Sequence, residues 1–218
     1  MGINKKFMAA IMVGVLTLSS AFTVSAAGTA SATTAPAAQS VDTNTMADHL
    51  EGKTVTSDVD TTKQTANVKS VKSSADAKVK NAVVLNNARD SIGNAVPITS
   101  VGTGKKTGVF SKIITRVTVK SEAKNVTFKA YAFKKSKVKT LKLNNAKTTI
   151  KKNAFNGTKA KNVKIYVNGK LTAKKGAFKG LSSKAKIIVS KKAYSKKAFN
   201  KLKKALKKAG FKGKITRK

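Results

Sequence analysis

The chain has 218 residues, with 46 Lys+Arg against 8 Asp+Glu, a formal net charge of +38, one His, no Cys and no Trp. Without cysteine there is no disulfide framework, thiolate nucleophile or zinc-thiolate site, and one histidine leaves multi-His metal sites and most His-based triads without material. A hydrophobic fraction of 40% suffices for one modest domain; the composition argues against an enzyme, and no catalytic residue, cofactor or metal is expected.

Met1 to about Ala27 reads as a secretory signal peptide. Lys5 and Lys6 form its positive start, and Phe7 to Leu18 is an apolar run shorter than the roughly 20 residues a membrane span needs. Val24-Ser25-Ala26 or Ser25-Ala26-Ala27 supplies the cleavage site. The expected location is secreted or cell-surface, with no transmembrane segment in the mature chain.

Charge then divides the chain. Residues 1–100 hold nine Lys/Arg and seven acids, whereas residues 101–218 hold 37 Lys/Arg and one acid, Glu122, a net of +36. Residues 28–100 are expected to be mostly a disordered spacer, because the stretch to about Ala77 is rich in Ala, Thr, Ser, Val and Asp without a sustained period. Residues 79–98, with Val79, Ala82, Val83, Leu85 and Ile92, are a candidate strand or helix capping the C-terminal half. Met46, Ala47 and Leu50 suggest a helical turn, and His49 between Asp48 and Glu51 reads as a solvated side chain rather than a metal ligand.

A repeat of 22 to 24 residues occupies 101–190. Ala132-Phe133 recurs as Ala154-Phe155 and Ala177-Phe178, and five residues before each Phe lies Phe128, Ile150 or Ala173. Each pair is succeeded by an alternating apolar segment: Leu141-x-Leu143, Val163-x-Ile165 and Ala185-x-Ile187, with an earlier copy from Phe110 to Val117-x-Val119. Each unit is too small to bury its own apolar side chains, so the expectation is a solenoid of stacked short strands and turns. Asn156-Gly157 marks a turn, and Val167 to Leu171 is read as a hairpin connection widening one repeat.

These residues carry a resemblance. Ile150-Lys151-Lys152-Asn153-Ala154-Phe155-Asn156-Gly157 resembles the I-G-x-x-A-F-x-G signature of bacterial leucine-rich repeat proteins of the BspA-like type. Ala173 to Gly180 is a second copy and Phe128 to Phe133 a third, with Lys151 and Lys135 standing where the family has Gly. The resemblance covers about 105–218 and implies a bacterial surface or secreted protein that acts by binding, some relatives being adhesins. The fold class expected is therefore α+β: a leucine-rich-repeat solenoid, a C-terminal amphipathic helix cap and a disordered N-terminal spacer.

Residues 191–218 supply the cap. Ser195 is a good N-cap, with Ser190 the alternative; Ala198, Phe199, Leu202, Ala205, Leu206 and Ala209 share a helical face, Gly210 ends the helix, and Phe211 and Ile215 offer a last strand or anchor. Nine lysines and no acid lie between Lys191 and Lys208.

Aligning the repeats at 117, 141, 163 and 185 stacks Thr118, Lys142, Lys164 and Lys186 into one outward ladder, extended by Lys139, Lys161 and Lys120. With Lys197, Lys201, Lys204 and Lys208 on the helix, these form the candidate polyanion-binding surface. Only Arg89, Arg116 and Arg217 are arginines, which points to diffuse, salt-sensitive attraction rather than bidentate recognition. The expected partner is an anionic cell-wall polymer or glycan, with a host surface protein as a further candidate. No sequence-specific nucleic-acid motif is present. The function expected is a non-enzymatic exported binding protein held electrostatically on an anionic envelope or matrix; the alternative is a cationic membrane-active protein making peripheral membrane contact through the C-terminal helix.

Overall fold

Alternating apolar residues give short strands, and the Ala-Phe pairs turn the chain between them. A computed structural model describes residues 39–43, 53–73, 81–90 and 92–218, all within the unit Pro36–Lys218. The signal-peptide reading of 1–27, the spacer residues 28–38, 44–52 and 74–80, the turn at 46–50 and His49 lie outside the described residues.

In chain order, β1 (Gln39–Thr43), β2 (Lys53–Asp60) and β3 (Thr65–Ser73) form antiparallel pairs, β1 with β2 and β2 with β3. The coils come next: β4 (Ala82–Leu85), β5 (Asn87–Arg89) and β6 (Ala95–Val101); β7 (Arg116–Val119) and β8 (Val126–Phe128); β9 (Thr140–Leu143) and β10 (Lys147–Ile150); β11 (Lys164–Val167) and β12 (Lys170–Ala173). The last coil is β13 (Lys186–Val189), α1 (Lys196–Lys208) and β14 (Lys214–Arg217).

The coils build two sheets that are parallel except for the antiparallel pairs β1–β2, β2–β3 and β5–β6. Sheet 1 has the order β1-β2-β3-β6-β8-β10-β12, with β5 beside β6, and sheet 2 has the order β14-β13-β11-β9-β7-β4. Inward residues such as Val117, Leu141, Ile165 and Ile187 are fully buried and lie in register across sheet 2. The Ala-Phe corners form a third ladder: the Val109 N–H donates to the Ala132 carbonyl at 3.0 Å, Phe133 to Ala154 at 3.0 Å and Phe155 to Ala177 at 3.4 Å. Ala suits this corner because the backbones approach closely; a Cβ on Gly180 would sit 2.5 Å from the Phe155 carbonyl oxygen, and Gly180 also has φ +105°. Lys135, at the equivalent corner position, takes φ +59° without being glycine.

Behind the corners the rings form a column. Phe110–Phe133, Phe133–Phe155, Phe155–Phe178 and Phe178–Phe211 have centroids 5.3, 4.3, 6.1 and 5.0 Å apart, and Phe128 lies 5.1 Å from Phe133. Each buried ring contributes about 1.5–3 kcal/mol of transfer free energy, plus a pairwise aromatic gain. The column is the shared core that an isolated repeat lacks.

α1 closes the far end of sheet 1. The Ser195 hydroxyl accepts the Ala198 N–H at 3.2 Å, and Gly210 lies just past the helix at φ +92°. Leu202, Leu206 and Ala209 are buried, and Phe211 joins the ring column. The helix packs against β12, whose Leu171 N–H donates to the Tyr194 hydroxyl at 2.6 Å. An edge donor of sheet 1 is thereby satisfied. Burial pushes the Tyr194 hydroxyl pKa up from its ordinary value.

Three expectations need correction. Residues 53–73 and 81–100 are not spacer where described. They form strands with Val55, Val59, Val68, Val71, Val83, Leu85, Val96 and Ile98 buried, and 82–101 make a full coil rather than a simple cap. Their alternation is obscured by small inward residues and by a bulge between Thr56 and Ser57, which sets Ser57 opposite Val68 and skips Lys69. The segment Val167 to Leu171 is a corner and not a hairpin, because β11 and β12 belong to different sheets. Third, Leu141 pairs with Ile165 and not with Val163, so the β9–β11 step of sheet 2 is shifted by two residues from the expected one, while β7–β9 and β11–β13 pair as expected.

Candidate functional site

The two-residue shift rearranges the lysines. Lys142 lies in a row with Thr118, Tyr166, Ile188 and Thr216, whereas Lys164 aligns with Arg116, Thr140, Lys186 and Lys214. The expected ladder of Thr118, Lys142, Lys164 and Lys186 therefore breaks between Lys142 and Lys164: Thr118 pairs with Lys142 and Lys164 with Lys186 as expected, but the lysine row runs Lys164–Lys186–Lys214 without Lys142. A two-residue slip keeps every side chain on its own face, so alternation alone cannot detect it. Lys120 belongs to a third row, where the backbone pairing continues past the strands through Asn144, Asn168 and Ser190 to Lys218. The Asn168 amide donates to the Asn144 side-chain oxygen at 2.7 Å in that row. Lys139 and Lys161 are exposed on the corners leading into β9 and β11.

Lys197, Lys201, Lys204 and Lys208 are exposed on α1. They share its outer side, as i, i+4, i+7, i+11 spacing requires. The opposite side of the helix is occupied by the core through Leu202 and Leu206, with Ala198 and Phe199 packed against it. Membrane insertion of that apolar side would require α1 to leave the solenoid.

Sheet 1 presents a second cationic face, made of residues that the repeat pattern alone does not single out. Pairing of β8, β10 and β12 aligns Thr127, Thr149 and Thr172, and Ser100 of β6 continues the row. Two residues N-terminal along the strands, Lys147 aligns with Lys170. On the other side, Lys129, Lys151 and Lys174 continue the ladder: the Lys129 N–H donates to the Val101 carbonyl, Lys151 to Phe128 and Lys174 to Ile150, at 2.9, 3.0 and 2.9 Å. Lys147, Lys151, Lys170 and Lys174 are exposed and Lys129 is half-buried. A signal for the second row was available: Lys129, Lys151 and Lys174 stand directly after Phe128, Ile150 and Ala173, three residues the repeat itself aligns.

The charges of the solenoid are uncompensated. The two ion pairs among the described residues, Lys63–Asp60 and Lys69–Asp58, both at 2.9 Å, lie in the β2–β3 hairpin. There the hydrogen bond and charge of Lys63 hold the Asp60 carboxyl below its ordinary range. No lysine beyond residue 101 has an acidic partner within ion-pair distance among the described residues. The described residues also contain no cluster of three or more potential metal-ligating His, Cys, Asp or Glu side chains, and no helix long and apolar enough to cross a membrane.

Coils of this length, stacked as parallel strands on a phenylalanine column, define a leucine-rich-repeat solenoid. Residues 106–217 match the BspA type leucine rich repeat region in six copies, and the chain belongs to that family. Such repeats are generally non-enzymatic binding scaffolds, and the family suggests a protein-binding role. No curated protein and no solved structure matches the chain.

Proposed function

We propose that this protein is exported, is not an enzyme, and uses its solenoid to associate electrostatically with an anionic polymer of the cell envelope or surrounding matrix. The observation that carries the reading is the uncompensated charge: 37 Lys/Arg and one acid over residues 101–218, with parallel pairing lining up like charges strand after strand. Solubility needs a net charge of only about 2–8 in a small domain. Like charges side by side on a sheet are destabilising, so a surplus this large favours a polyanionic partner. The signal-peptide pattern at residues 1–27 and the family's association with surfaces support export. Adhesion through further contacts on the scaffold, including to a host surface protein, is compatible with the same arrangement.

The test is co-sedimentation of the protein with purified anionic cell walls, with and without teichoic acid, across a salt series. Retention that needs teichoic acid and is reversed by about 0.5 M salt is expected. Equal retention on stripped walls, or retention indifferent to salt, would remove the electrostatic mechanism.

A further inference from the structure

The geometry points to the outer face of sheet 1 as a docking strip for a flexible, linear phosphodiester polymer with a polyol backbone, lying along the solenoid axis across β8, β10 and β12. The inference rests on the polyanion reading above and assigns it a site, a direction and a ligand chemistry.

The strip has three parallel rows. The centre is Thr127, Thr149 and Thr172; one flank is Lys147 and Lys170, and the other is Lys129, Lys151 and Lys174. Each lysine row lies two residues from the hydroxyl row, about 6.6 Å, so the two flanks are about 13 Å apart, while neighbouring strands repeat every 4.8 Å or so. A single chain laid on the threonines runs between two lines of ammonium groups. Sheet 2 offers no such trough. Its one continuous lysine row, Lys164–Lys186–Lys214, borders a row in which Lys142 is followed by Tyr166 and Ile188, and beyond that lies a row with Lys120 and Lys218 at its ends and Asn144, Asn168 and Ser190 between them.

The strip has an end. Tracing the hydroxyl row toward the N-terminus gives Ser100, then Asn67, then Asp58. Asp58 is paired with Lys69 at 2.9 Å, and the Ser100 hydroxyl already donates to the Asn67 side-chain oxygen at 2.7 Å. A polyanion gains lysines toward β12 and meets a carboxylate toward β2. Glu122 is exposed in the corner between β7 and β8, three residues before Asn125 and outside the three rows.

The hydroxyls define the chemistry. The Asn125 side-chain amide donates to the Thr127 Oγ1 at 3.0 Å, while the Thr149 hydroxyl donates to the Asn125 Oδ1 at 3.0 Å. Thr127 thus keeps its own proton for an incoming acceptor, and Thr149 presents lone pairs to an incoming donor. Two neighbouring hydroxyls that offer one donor and one acceptor, Thr127 and Thr149, match a polymer in which phosphates alternate with hydroxyl-bearing linkers. Lysine, a hydrated point charge, suits a flexible phosphate chain, and none of the strip positions is arginine.

The experiment compares two triple variants that lose the same charge. Lys129→Gln/Lys151→Gln/Lys174→Gln alters the strip, and Lys164→Gln/Lys186→Gln/Lys214→Gln alters sheet 2. Binding of the full chain to labelled poly(glycerol phosphate) is measured by anisotropy across a salt series, with urea melts reporting folding. The strip variant is expected to bind about tenfold more weakly at about 0.15 M salt. Its salt slope should fall by about 2, at roughly 0.7 per lost contact for a single-stranded polyanion. The sheet 2 variant should change by less than about threefold. Thr127→Val/Thr149→Val keeps every charge and is expected to weaken binding about threefold to tenfold, the loss of one or two hydrogen bonds; it also serves if the strip triple fails to fold. Equal losses in the two lysine triples would overturn the strip while leaving the electrostatic reading intact. Tighter binding of a sulfated glycan or of linear polyphosphate would overturn the phosphodiester-polyol assignment. Failure of the unmodified chain to bind any of these polymers at low salt would overturn the polyanion reading itself.

Discussion

Replacing Phe133 with alanine probes the feature that holds the coils at one spacing. Phe133 is fully buried and touches three rings, Phe155 at 4.3 Å, Phe128 at 5.1 Å and Phe110 at 5.3 Å. Phe→Ala in a core costs about 3–5 kcal/mol, and pairs in favourable ring geometry add about 0.5–1.5 kcal/mol each beyond their area. With three such pairs, Phe133→Ala belongs at the top of that range, about 5 kcal/mol. Phe211 provides the internal comparison. It meets one ring, Phe178 at 5.0 Å, at the end of the column and is slightly exposed. Phe211→Ala should therefore cost about 3 kcal/mol. In urea unfolding the two variants should differ by about 2 kcal/mol, against a whole-domain stability of about 5–15 kcal/mol. A loss at Phe133 below about 2 kcal/mol, or one smaller than that at Phe211, would refute the claim that the column carries the stacking.

The remaining predictions address corners, edge and charge. Lys135 occupies a left-handed conformation at φ +59°, so Lys135→Gly should stabilise the protein by about 0.5–1 kcal/mol in urea unfolding; a loss of stability would show that the lysine side chain contributes more than the strain costs. Tyr194→Phe removes the acceptor for the Leu171 N–H and should cost about 1–3 kcal/mol, with faster amide exchange at Leu171; unchanged exchange would mean that the edge donor is satisfied otherwise. Lys186 stands between Lys164 and Lys214, so Lys186→Gln should raise stability by about 0.5 kcal/mol at low salt and by less when screened. For the same reason the melting temperature should rise as salt goes from about 0.01 M to 0.15 M, where the screening length falls from about 30 Å to 8 Å. A flat or falling response would show that self-repulsion does not limit the fold.

The solenoid was legible because its signal is redundant. The Ala-Phe corners, the apolar residue five positions earlier and the alternating segments each recur, and all three map onto hydrogen-bonded ladders. The helix cap was equally readable, because Ser195, the apolar side of α1 and Gly210 are local signals that tertiary contacts reinforce. Exact stacking was not legible. Val163, Ile165 and Val167 are all buried, and an alternating run of that length accepts two registers that keep the same face inward. The separation of Lys142 from the Lys164–Lys186–Lys214 row comes from the choice between those registers at the β9–β11 step. The β2–β3 hairpin was missed for a different reason. Its inward positions include Ser57 and Lys53 beside small apolar residues, and its bulge puts Val68 and Val71 three residues apart on one face. A period count sees noise where the backbone sees one extra residue. Of the sheet 1 lysines, Lys129, Lys151 and Lys174 lie one residue beyond positions already aligned, whereas the Lys147–Lys170 row emerges only from the β10–β12 pairing.

The central claim is that stacking turns a dispersed lysine excess into a surface that holds an anionic polymer. The most direct measurement is the affinity of the full chain for poly(glycerol phosphate) as a function of salt. Five strip lysines, Lys129, Lys147, Lys151, Lys170 and Lys174, predict that log Kd rises linearly with log salt with a slope of about 3.5, roughly 0.7 per neutralised charge. A slope near zero, or no binding at low salt, would contradict it.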